Sequence, residues 1–335
     1  TMKKLVIFGA GPIGRMLAYV FQSEYQTTFI DVNQSVIDQI NQQGEFGISV
    51  LGTKSTEEVI VDRISAISSN DTEKVCSAIL NAELVLTACG MNALRFVAPV
   101  LATALTFRFA KRKSIPLFVV ACENATEKNS SYLRELILGH TDKAIQKKLK
   151  DLLLTPDCMI DRVSLLPTEE ELKEDRLRVK VEKYFQLCIN QQNHAFPYLP
   201  TGVTVVDDLE AVKKQKLFTV NAVHALIAYY GFHFGYSYIH ESLKDKRVLA
   251  LVSGVLTEVK HALTKYGVKE DQQEIFAGNV LQRFSNENLC DSVERVARDP
   301  IRKAQNSERF VLPAMINLEL GHTPSYLASG LGALY

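Results

Sequence analysis

Short apolar runs alternate with helical stretches over the first half of the chain. The runs Leu5–Phe8, Leu84–Thr87 and Leu117–Val120 have the length and branched side chains of buried strands, and Thr27–Ile30 predicts a further strand. Residues 59–64 suggest a pair of edge strands. Because strands that alternate with helices join through right-handed crossovers, the pattern predicts an α/β fold with a doubly wound, largely parallel sheet.

The pattern changes in the second half of the chain. Residues 176–190 alternate between apolar and polar side chains and predict one last, half-exposed strand. Residues 191–202 are polar and contain two prolines, which indicates a crossing between domains. From about Asp208 onward the spacing is helical. We therefore predict an α/β domain over residues 1–192 and a mostly α-helical substrate and catalytic domain over residues 193–335.

Composition narrows the possible partners. The 335 residues include 38 Lys plus Arg and 38 Asp plus Glu, so no net field attracts nucleic acid or a membrane surface. No apolar stretch approaches the roughly 20 residues of a membrane span. The six cysteines include no Cys-x-x-Cys and lie mostly in apolar runs, which predicts buried free thiols in a reducing, cytoplasmic compartment. We expect a monomer or a small homo-oligomer that acts on a small molecule.

A glycine motif follows the first strand. Residues 9–14 read Gly-Ala-Gly-Pro-Ile-Gly, the G-x-G-x-x-G pattern of Rossmann-type domains, whose glycines let a pyrophosphate approach a helix N-terminus. Asp31 after the second strand would bind a ribose diol and repel a 2′-phosphate, which favours NAD over NADP. A glycine turn that only opens a helix, with Asp31 as a cap, is the alternative. The residues predicted to contact NAD are Gly9, Ala10, Gly11, Pro12, Ile13, Gly14, Asp31, Val32, Asn33, Thr87 and Gly90.

Three polar side chains lie along one predicted helix in the second half: Lys216, Asn221 and His224. At about 100° per residue, Asn221 lies about 140° and His224 about 80° round from Lys216, within reach of a long lysine stem. Such a trio can deprotonate an alcohol and hold the oxyanion that forms. Each also has a structural alternative, because helix lysines are mostly solvated and a histidine among apolar residues is usually a core residue. Asn124 is either a further neutral donor or a helix cap.

Residues 216–225 read Lys-Leu-Phe-Thr-Val-Asn-Ala-Val-His-Ala, and this segment resembles the signature of the polyol-specific long-chain dehydrogenases. The chain contains no Tyr-x-x-x-Lys pair and no zinc-ligand spacing, so tyrosine-base and zinc dehydrogenase designs are set aside. The resemblance runs nearly end to end. Further matching motifs are Phe8-Gly-Ala-Gly-Pro-Ile-Gly-Arg15, Asp31-Val-Asn33, Ala121-Cys-Glu-Asn124, Asp161-Arg162-Val163, Arg283-Phe284-x-Asn286 and the basic stretch 293–303.

The resemblance implies a metal-independent, NAD-dependent oxidoreductase. In that family the lysine is the general acid/base, two asparagines hold the alkoxide and the histidine assists. These roles fall on Lys216, Asn124, Asn221 and His224.

The substrate is predicted from charge. By resemblance, Asp161, Arg295 and Lys303 match substrate-contacting residues, although an ion pair with a neighbouring arginine is the alternative for Asp161. Arg295, Arg298, Arg302 and Lys303 lie within nine residues. Such a cluster suits a phosphate dianion better than a neutral polyol, although a solvated basic helix face gives the same pattern. We therefore predict interconversion of mannitol 1-phosphate and fructose 6-phosphate. The alternatives are an unphosphorylated polyol or sugar acid as substrate, or an NAD-binding protein without turnover.

Overall fold

The chain forms two compact units. The computed structural model describes residues 2–111, 115–125 and 128–334. The sheet unit contains the residues up to Leu51 and Thr56–Leu209, and the helical unit contains Gly52–Ser55 and the chain from Glu210 onward. Each unit has its own apolar core.

A six-stranded parallel sheet forms the centre of the sheet unit, which confirms the predicted doubly wound fold. The strand order reverses beside the first strand in the sequence, because the chain first builds outward on one side and then on the other. Ligands bind at this reversal in such sheets. The strands lie in the order Ile64–Ser68, Tyr25–Asp31, Lys3–Phe8, Leu84–Thr87, Leu117–Ala121 and Leu153–Leu154.

Helices cover both faces of this sheet. In the first strand, Leu5 and Ile7 enter one apolar cluster while Val6 and Phe8 enter another, so the strand is buried on both faces. This explains why its sequence is a continuous apolar run. The helices of the sheet unit are Pro12–Phe21, Gln34–Gln43, Thr72–Asn81, Leu94–Lys111, Ser130–Gly139, Lys143–Leu152 and Glu169–Glu174, with a 3₁₀ turn at Met91–Ala93.

One described helix, Met91–Lys111, has the length and hydropathy of a membrane span, which corrects the expectation that no stretch comes close. Its Leu101 is fully buried in the sheet unit's core. Its buried Arg108 donates hydrogen bonds to the carbonyls of Ile79 at 2.6 Å and Ala82 at 2.9 Å. The apolar side chains of this helix therefore contribute to the core of a folded unit.

Two smaller sheets complete the sheet unit. The predicted edge strands are present: Thr56–Val61 ends one small sheet and Ile64–Ser68 ends the large one. The strand Phe46–Leu51, which the sequence analysis missed, is fully buried. The four-stranded sheet has the strand order Ser164–Leu165, Val179–Glu182, Phe46–Leu51, Thr56–Val61. The three-stranded sheet has the strand order Val203–Val206, Gln186–Asn190, Cys158–Asp161.

The prediction of one half-exposed strand over residues 176–190 is wrong. The segment forms two strands in different sheets, Val179–Glu182 beside Phe46–Leu51 and Gln186–Asn190 beside Cys158–Asp161. A turn with the exposed Lys183 separates them. Both strands are largely buried, because each is paired on two sides.

The sheet unit continues beyond the predicted boundary at residue 192. The polar segment 191–202 leads back into the strand Val203–Val206, which pairs in parallel with Gln186–Asn190. Within that segment, the Phe196 ring lies 5.1 Å from the Phe118 ring in an edge-to-face contact. The sheet unit therefore ends at Leu209 rather than at 192.

The helical unit confirms the helical pattern predicted from about Asp208. Its core consists of apolar side chains from successive helices, with Phe218, Leu226 and Val255 fully buried. The helices are Leu209–Gln215, Ala222–His233, Ile239–Ser242, Lys246–Thr264, Glu270–Phe284, Val293–Ala297, Pro300–Lys303, Val311–Glu319 and Ser325–Gly332, with a π-helix at Lys216–Asn221 and a 3₁₀ turn at Glu287–Leu289.

Candidate functional site

The three glycines of the 9–14 turn differ in why the structure has glycine at each position. Gly9 has φ +100°, and a Cβ there would lie 2.4 Å from the Ala88 carbonyl oxygen. A Cβ on Gly14 would lie 2.0 Å from the Gly9 carbonyl oxygen, so the helix can pack only with glycine there. A Cβ on Gly11 would meet no protein atom within 4 Å. Gly11 is therefore not required by protein packing, and it leaves open space at the start of the helix Pro12–Phe21.

Asp31 is fixed at the end of the second strand. Its carboxylate accepts hydrogen bonds from the backbone N–H groups of Ala10 at 2.7 Å and Asn33 at 2.9 Å. The Asn33 side chain caps the helix Gln34–Gln43 by accepting hydrogen bonds from backbone N–H groups of its first turn. Val32 between them is 79% exposed.

A buried glutamate that the sequence analysis did not single out organises the neighbouring loop. The Glu123 carboxylate accepts hydrogen bonds from the Thr87 hydroxyl at 2.7 Å and from the N–H groups of Cys89 at 3.0 Å and Gly90 at 2.8 Å. Gly90 has φ +89°, a conformation that favours glycine. An acidic residue directly after the buried strand Leu117–Ala121 was the available signal. Glu123 thus holds the Thr87–Gly90 loop in one shape.

These residues fit a nucleotide cofactor. The Gly9 turn and the Thr87–Gly90 loop follow adjacent strands at the point where the strand order reverses. The helix Pro12–Phe21 has no side-chain cap at Gly11, so N–H groups of its first turn remain for a ligand. Space at Gly11 and a fixed carboxylate at Asp31 complete a site of the dinucleotide-binding type.

In the helical unit, Lys216 and Asn221 lie at the two ends of a π-helix. The sequence analysis placed both on regular helix at about 100° per residue. The π-helix has wider turns with i→i+5 hydrogen bonds, so residues five apart face more nearly the same side than the predicted 140°. Short π-helical segments are frequent at functional sites. Between these two residues, Leu217–Val220 is buried in the core and fixes the segment.

His224, one turn further on, is held by two contacts. Its Nε2 lies 2.8 Å from Oδ2 of Asp291, and its ring stacks on Phe284 at 4.3 Å between centroids with 16° between planes. The imidazole is therefore constrained and mostly buried, with 15% of its side chain exposed. Such a ring fits both the catalytic interpretation and the alternative of a satisfied core residue. Sequence reasoning missed Asp291, which lies 67 residues away in the chain.

Asp291 also binds Arg295. Nε and a terminal nitrogen of Arg295 lie 2.8 and 2.7 Å from Oδ1 of Asp291. Burial raises the pKa of Asp291, but the hydrogen bonds and charges of His224 and Arg295 lower it by more, so the pKa lies below its ordinary value. Arg295 is thus paired internally.

The predicted four-cation cluster is divided in the structure. Arg298 is exposed, while Arg302 pairs with Glu308 at 3.2 Å. Lys303 is buried and donates to the Val296 carbonyl. Burial, together with the charges of Arg309 and Arg302, lowers the pKa of Lys303 to about 8.

Arg309 is a cation that the sequence analysis missed, because it lies six residues beyond the motif. Its guanidinium pairs with Glu308 at 3.1 Å and donates to the Asn221 carbonyl at 3.4 Å. Lys303 lies close enough to Arg302, Arg309, Asp299 and Glu308 for their charges to act on its amine. We call Arg302, Lys303, Glu308 and Arg309 the cationic group.

Two predicted site residues lie in the sheet unit. Asn124 is exposed just after the strand Leu117–Ala121, and Asp161 is buried at the end of the strand Cys158–Asp161. The adjacent Arg162 donates to the Glu182 carbonyl at 2.8 Å and lies over the ring of Tyr19.

The cysteines agree with the sequence analysis. All six are free, with Cys76, Cys122, Cys158 and Cys188 buried, Cys89 partly buried and Cys290 exposed. Within residues 2–111, 115–125 and 128–334, no group of three or more His, Cys, Asp or Glu side chains is arranged to hold a metal ion.

The strand order, the glycine turn and the fixed acidic residue together define a Rossmann-type nucleotide-binding domain. Residues 3–199 match the family model of the mannitol dehydrogenase Rossmann domain, and residues 208–335 match that of the mannitol dehydrogenase C-terminal domain. The chain belongs to the mannitol dehydrogenase family and is an oxidoreductase. This confirms the resemblance found in the sequence.

Similar proteins cover nearly the whole chain. A mannitol-1-phosphate 5-dehydrogenase from Oceanobacillus iheyensis is 37% identical over 99% of this chain and 86% of its own length. One from Aureobasidium melanogenum is 34% identical over 98% and 84%. The same fold occurs in Pseudomonas fluorescens mannitol 2-dehydrogenase in complex with NAD and D-mannitol, at TM-score 0.78 and 18% identity over 100% of this chain and 78% of that one. It also occurs in a D-sorbitol dehydrogenase, at TM-score 0.83 and 17% identity over 99% and 80%.

Proposed function

We propose that this oxidoreductase interconverts mannitol 1-phosphate and fructose 6-phosphate with NAD as its cofactor. The observation that carries the phosphate assignment is the cationic group, in which Arg302 and Arg309 pair with Glu308 and the charges of both arginines act on the nearby Lys303. The names of the two relatives described above support the same substrate pair. The free thiols support a reducing compartment, and we propose the cytoplasm.

NAD, when bound, accepts or returns the hydride. The first turn of the helix Pro12–Phe21 would bind the pyrophosphate, and Gly11 would leave room for it. Asp31, fixed by two backbone N–H groups, would accept hydrogen bonds from a ribose diol and repel a 2′-phosphate. The exposed Val32 would cover an apolar ring of the cofactor.

Lys216 is the proposed general acid/base. In oxidation its neutral amine takes the proton of the substrate hydroxyl, and in reduction its ammonium returns that proton. Its place at the start of the π-helix gives it a backbone setting different from that of an ordinary surface lysine. Because the amine performs the proton transfer, we propose that the reaction needs no metal ion, and activity should persist in excess EDTA.

Asn124 and Asn221 are the proposed donors to the oxyanion. Neutral amide donors suit a developing alkoxide, and removal of one such donor costs about 2.7 to 4 kcal/mol in other oxyanion sites. Asn221 ends the π-helix, and its own carbonyl accepts from Arg309. His224 is proposed to assist by orienting the substrate hydroxyl or the lysine. Asp161 and Arg298 are proposed further substrate contacts.

The test is NADH oxidation followed at 340 nm with fructose 6-phosphate beside free fructose. We expect the phosphate to be preferred at least about tenfold in kcat/KM, which corresponds to about 1.4 kcal/mol. Arg309→Gln should reduce that preference mainly through KM. The matched control is Arg247→Gln, which removes an exposed arginine of the helix Lys246–Thr264 that pairs with that helix's own N-cap, Asp245. Equal use of both sugars by the wild type would exclude the phosphate assignment.

An unphosphorylated polyol or sugar acid is the second candidate. The internal pairing of Arg295 with Asp291 and of Arg302 with Glu308 favours it, because paired cations offer less to a phosphate. Activity with free fructose or mannitol alone would select this candidate.

A further inference from the structure

The Asp291 carboxylate contacts one residue proposed for catalysis, His224, and one that matches a substrate contact, Arg295. Oδ2 lies 2.8 Å from Nε2 of His224, and Oδ1 lies within 2.8 Å of two nitrogens of Arg295. Its side chain is only 6% exposed. Each oxygen of the carboxylate therefore faces a different functional group of the helical unit.

The backbone of Asp291 is anchored independently of these contacts. Its carbonyl accepts a hydrogen bond from the Ile239 N–H at 2.9 Å, at the start of the helix Ile239–Ser242. Two residues on, the Val293 N–H donates to the Ser237 carbonyl at 2.9 Å. The carboxylate is thus presented from a fixed piece of backbone.

The contact with His224 selects a tautomer. An ionised carboxylate can only accept hydrogen bonds, so Nε2 of His224 must carry the proton that lies between them. In the neutral imidazole, Nδ1 is then the atom with a free lone pair. Stacking on Phe284 restricts the plane of the ring, so both the tautomer and the orientation are set.

We infer that Asp291 is a positioning residue of the proposed reaction, which holds His224 with Nδ1 available to the substrate side and ties it to Arg295. This inference rests on the proposed function. The Asp291 carboxylate therefore fixes both His224, which is proposed to assist proton transfer, and Arg295, which matches a substrate contact. Loss of this charge would affect turnover and substrate binding together, while the cofactor site in the sheet unit would be unaffected.

Kinetics of Asp291→Asn are the first test. The amide keeps the size of the side chain but can donate to Nε2, which favours the other tautomer. We expect kcat with fructose 6-phosphate to fall at least about tenfold while NADH affinity stays unchanged. The melting temperature should fall, because the substitution removes a buried negative charge that pairs with His224 and Arg295, so kcat is measured at a temperature at which the variant is folded. Asp245→Asn is the matched control, because it removes another carboxylate paired with an arginine, Arg247, in the same unit. A kcat within twofold of wild type would overturn the inference.

A double-mutant cycle tests whether the effect passes through His224. Asp291→Asn should add less than about twofold to the kcat loss of His224→Ala, because contacting residues that act as a unit are not additive. A full multiplicative loss would show that Asp291 acts independently of His224 and would overturn the positioning role.

The tautomer can be read without turnover. In ¹⁵N spectra of the imidazole side chains, the signals of His224 are those that disappear in His224→Ala. These signals should show a protonated Nε2 in the wild type and a protonated Nδ1 in Asp291→Asn. A protonated Nδ1 in the wild type would contradict the inference. Because this measurement uses no substrate, it separates failure of the inference from failure of the proposed substrate, which the wild-type kinetics test.

Discussion

At the scale of single residues, Lys216 carries the strongest chemical claim. Lys216→Ala should lower kcat by about 10²- to 10⁴-fold, because a positioned general acid/base contributes that much. NADH affinity, measured by fluorescence titration, should stay unchanged, since the cofactor site lies in the sheet unit.

Lys214→Ala is the matched control for that substitution. It removes an amine two residues earlier whose nitrogen lies 5.9 Å from the Tyr266 ring centroid, and it should keep near-normal turnover. Near-normal turnover of Lys216→Ala would remove lysine catalysis from the proposal.

The glycines of the cofactor turn separate folding from binding. Gly11→Ala should keep the stability of the protein, because the new Cβ meets no protein atom and the backbone, at φ −69°, accepts alanine. It should weaken NADH binding by occupying the open space. Gly14→Ala should instead destabilise the protein, since its Cβ would lie 2.0 Å from the Gly9 carbonyl oxygen.

Urea unfolding and NADH titration of both variants distinguish the two effects. Tight NADH binding by a stable Gly11→Ala would place the pyrophosphate elsewhere.

At the scale of elements, Glu123 is the support of the Thr87–Gly90 loop. Glu123→Gln should cost about 1–3 kcal/mol in the free energy of unfolding, because an amide group faces N–H donors that the carboxylate accepted. Glu170→Gln, an exposed residue on a short helix, is the control and should be neutral. Denaturant curves with equal midpoints for the two variants would show that the loop does not depend on the carboxylate.

Sequence reasoning succeeded where the signal was local. The run Leu5–Phe8, the glycine turn and Asp31 can be recognised from periodicity and spacing, and the structure confirms the largely parallel sheet that was predicted from the alternating strands and helices. Sequence reasoning failed where the pairing of distant strands decided the structure. Residues 176–190 split into two strands because each half finds a different partner strand, and partners far away in sequence leave no local trace.

The same reason explains the outcome at the candidate site. Residues 216–224 could be singled out, but the π-helix could not, since it differs from regular helix in backbone hydrogen bonds rather than in apolar pattern. Asp291 and Arg309 were missed because their partners, His224 and Asn221, lie 67 and 88 residues away. The four cations of the basic stretch 293–303 were interpreted as one cluster, because the sequence does not show which carboxylates neutralise them.

At the scale of the whole molecule, Lys303 makes stability depend on pH in a definite direction. Its pKa is about 8 in the folded protein, below the ordinary value of 10.5, so between these pH values the unfolded chain holds a proton that the folded chain has released. This contribution to stability therefore rises with pH across that window.

Lys303→Met should accordingly be more stable than wild type at pH 7, and its advantage should shrink between pH 8 and 10.5. Urea midpoints of both proteins over this range measure the difference. Lys265→Met is the control, because the bond to Glu319 raises the pKa of Lys265, so its charge is favoured at pH 7. A constant difference between Lys303→Met and wild type would mean that Lys303 is not the titrating group.

The distribution of thiols also gives the molecule a chemical handle. Cys290 is exposed and directly precedes Asp291, while four of the other cysteines are buried. A maleimide dye should therefore couple first at Cys290 and place a fluorophore next to the residue that we infer positions His224. A change in its emission on addition of fructose 6-phosphate would report occupancy of the helical unit in real time, independently of the nicotinamide absorbance.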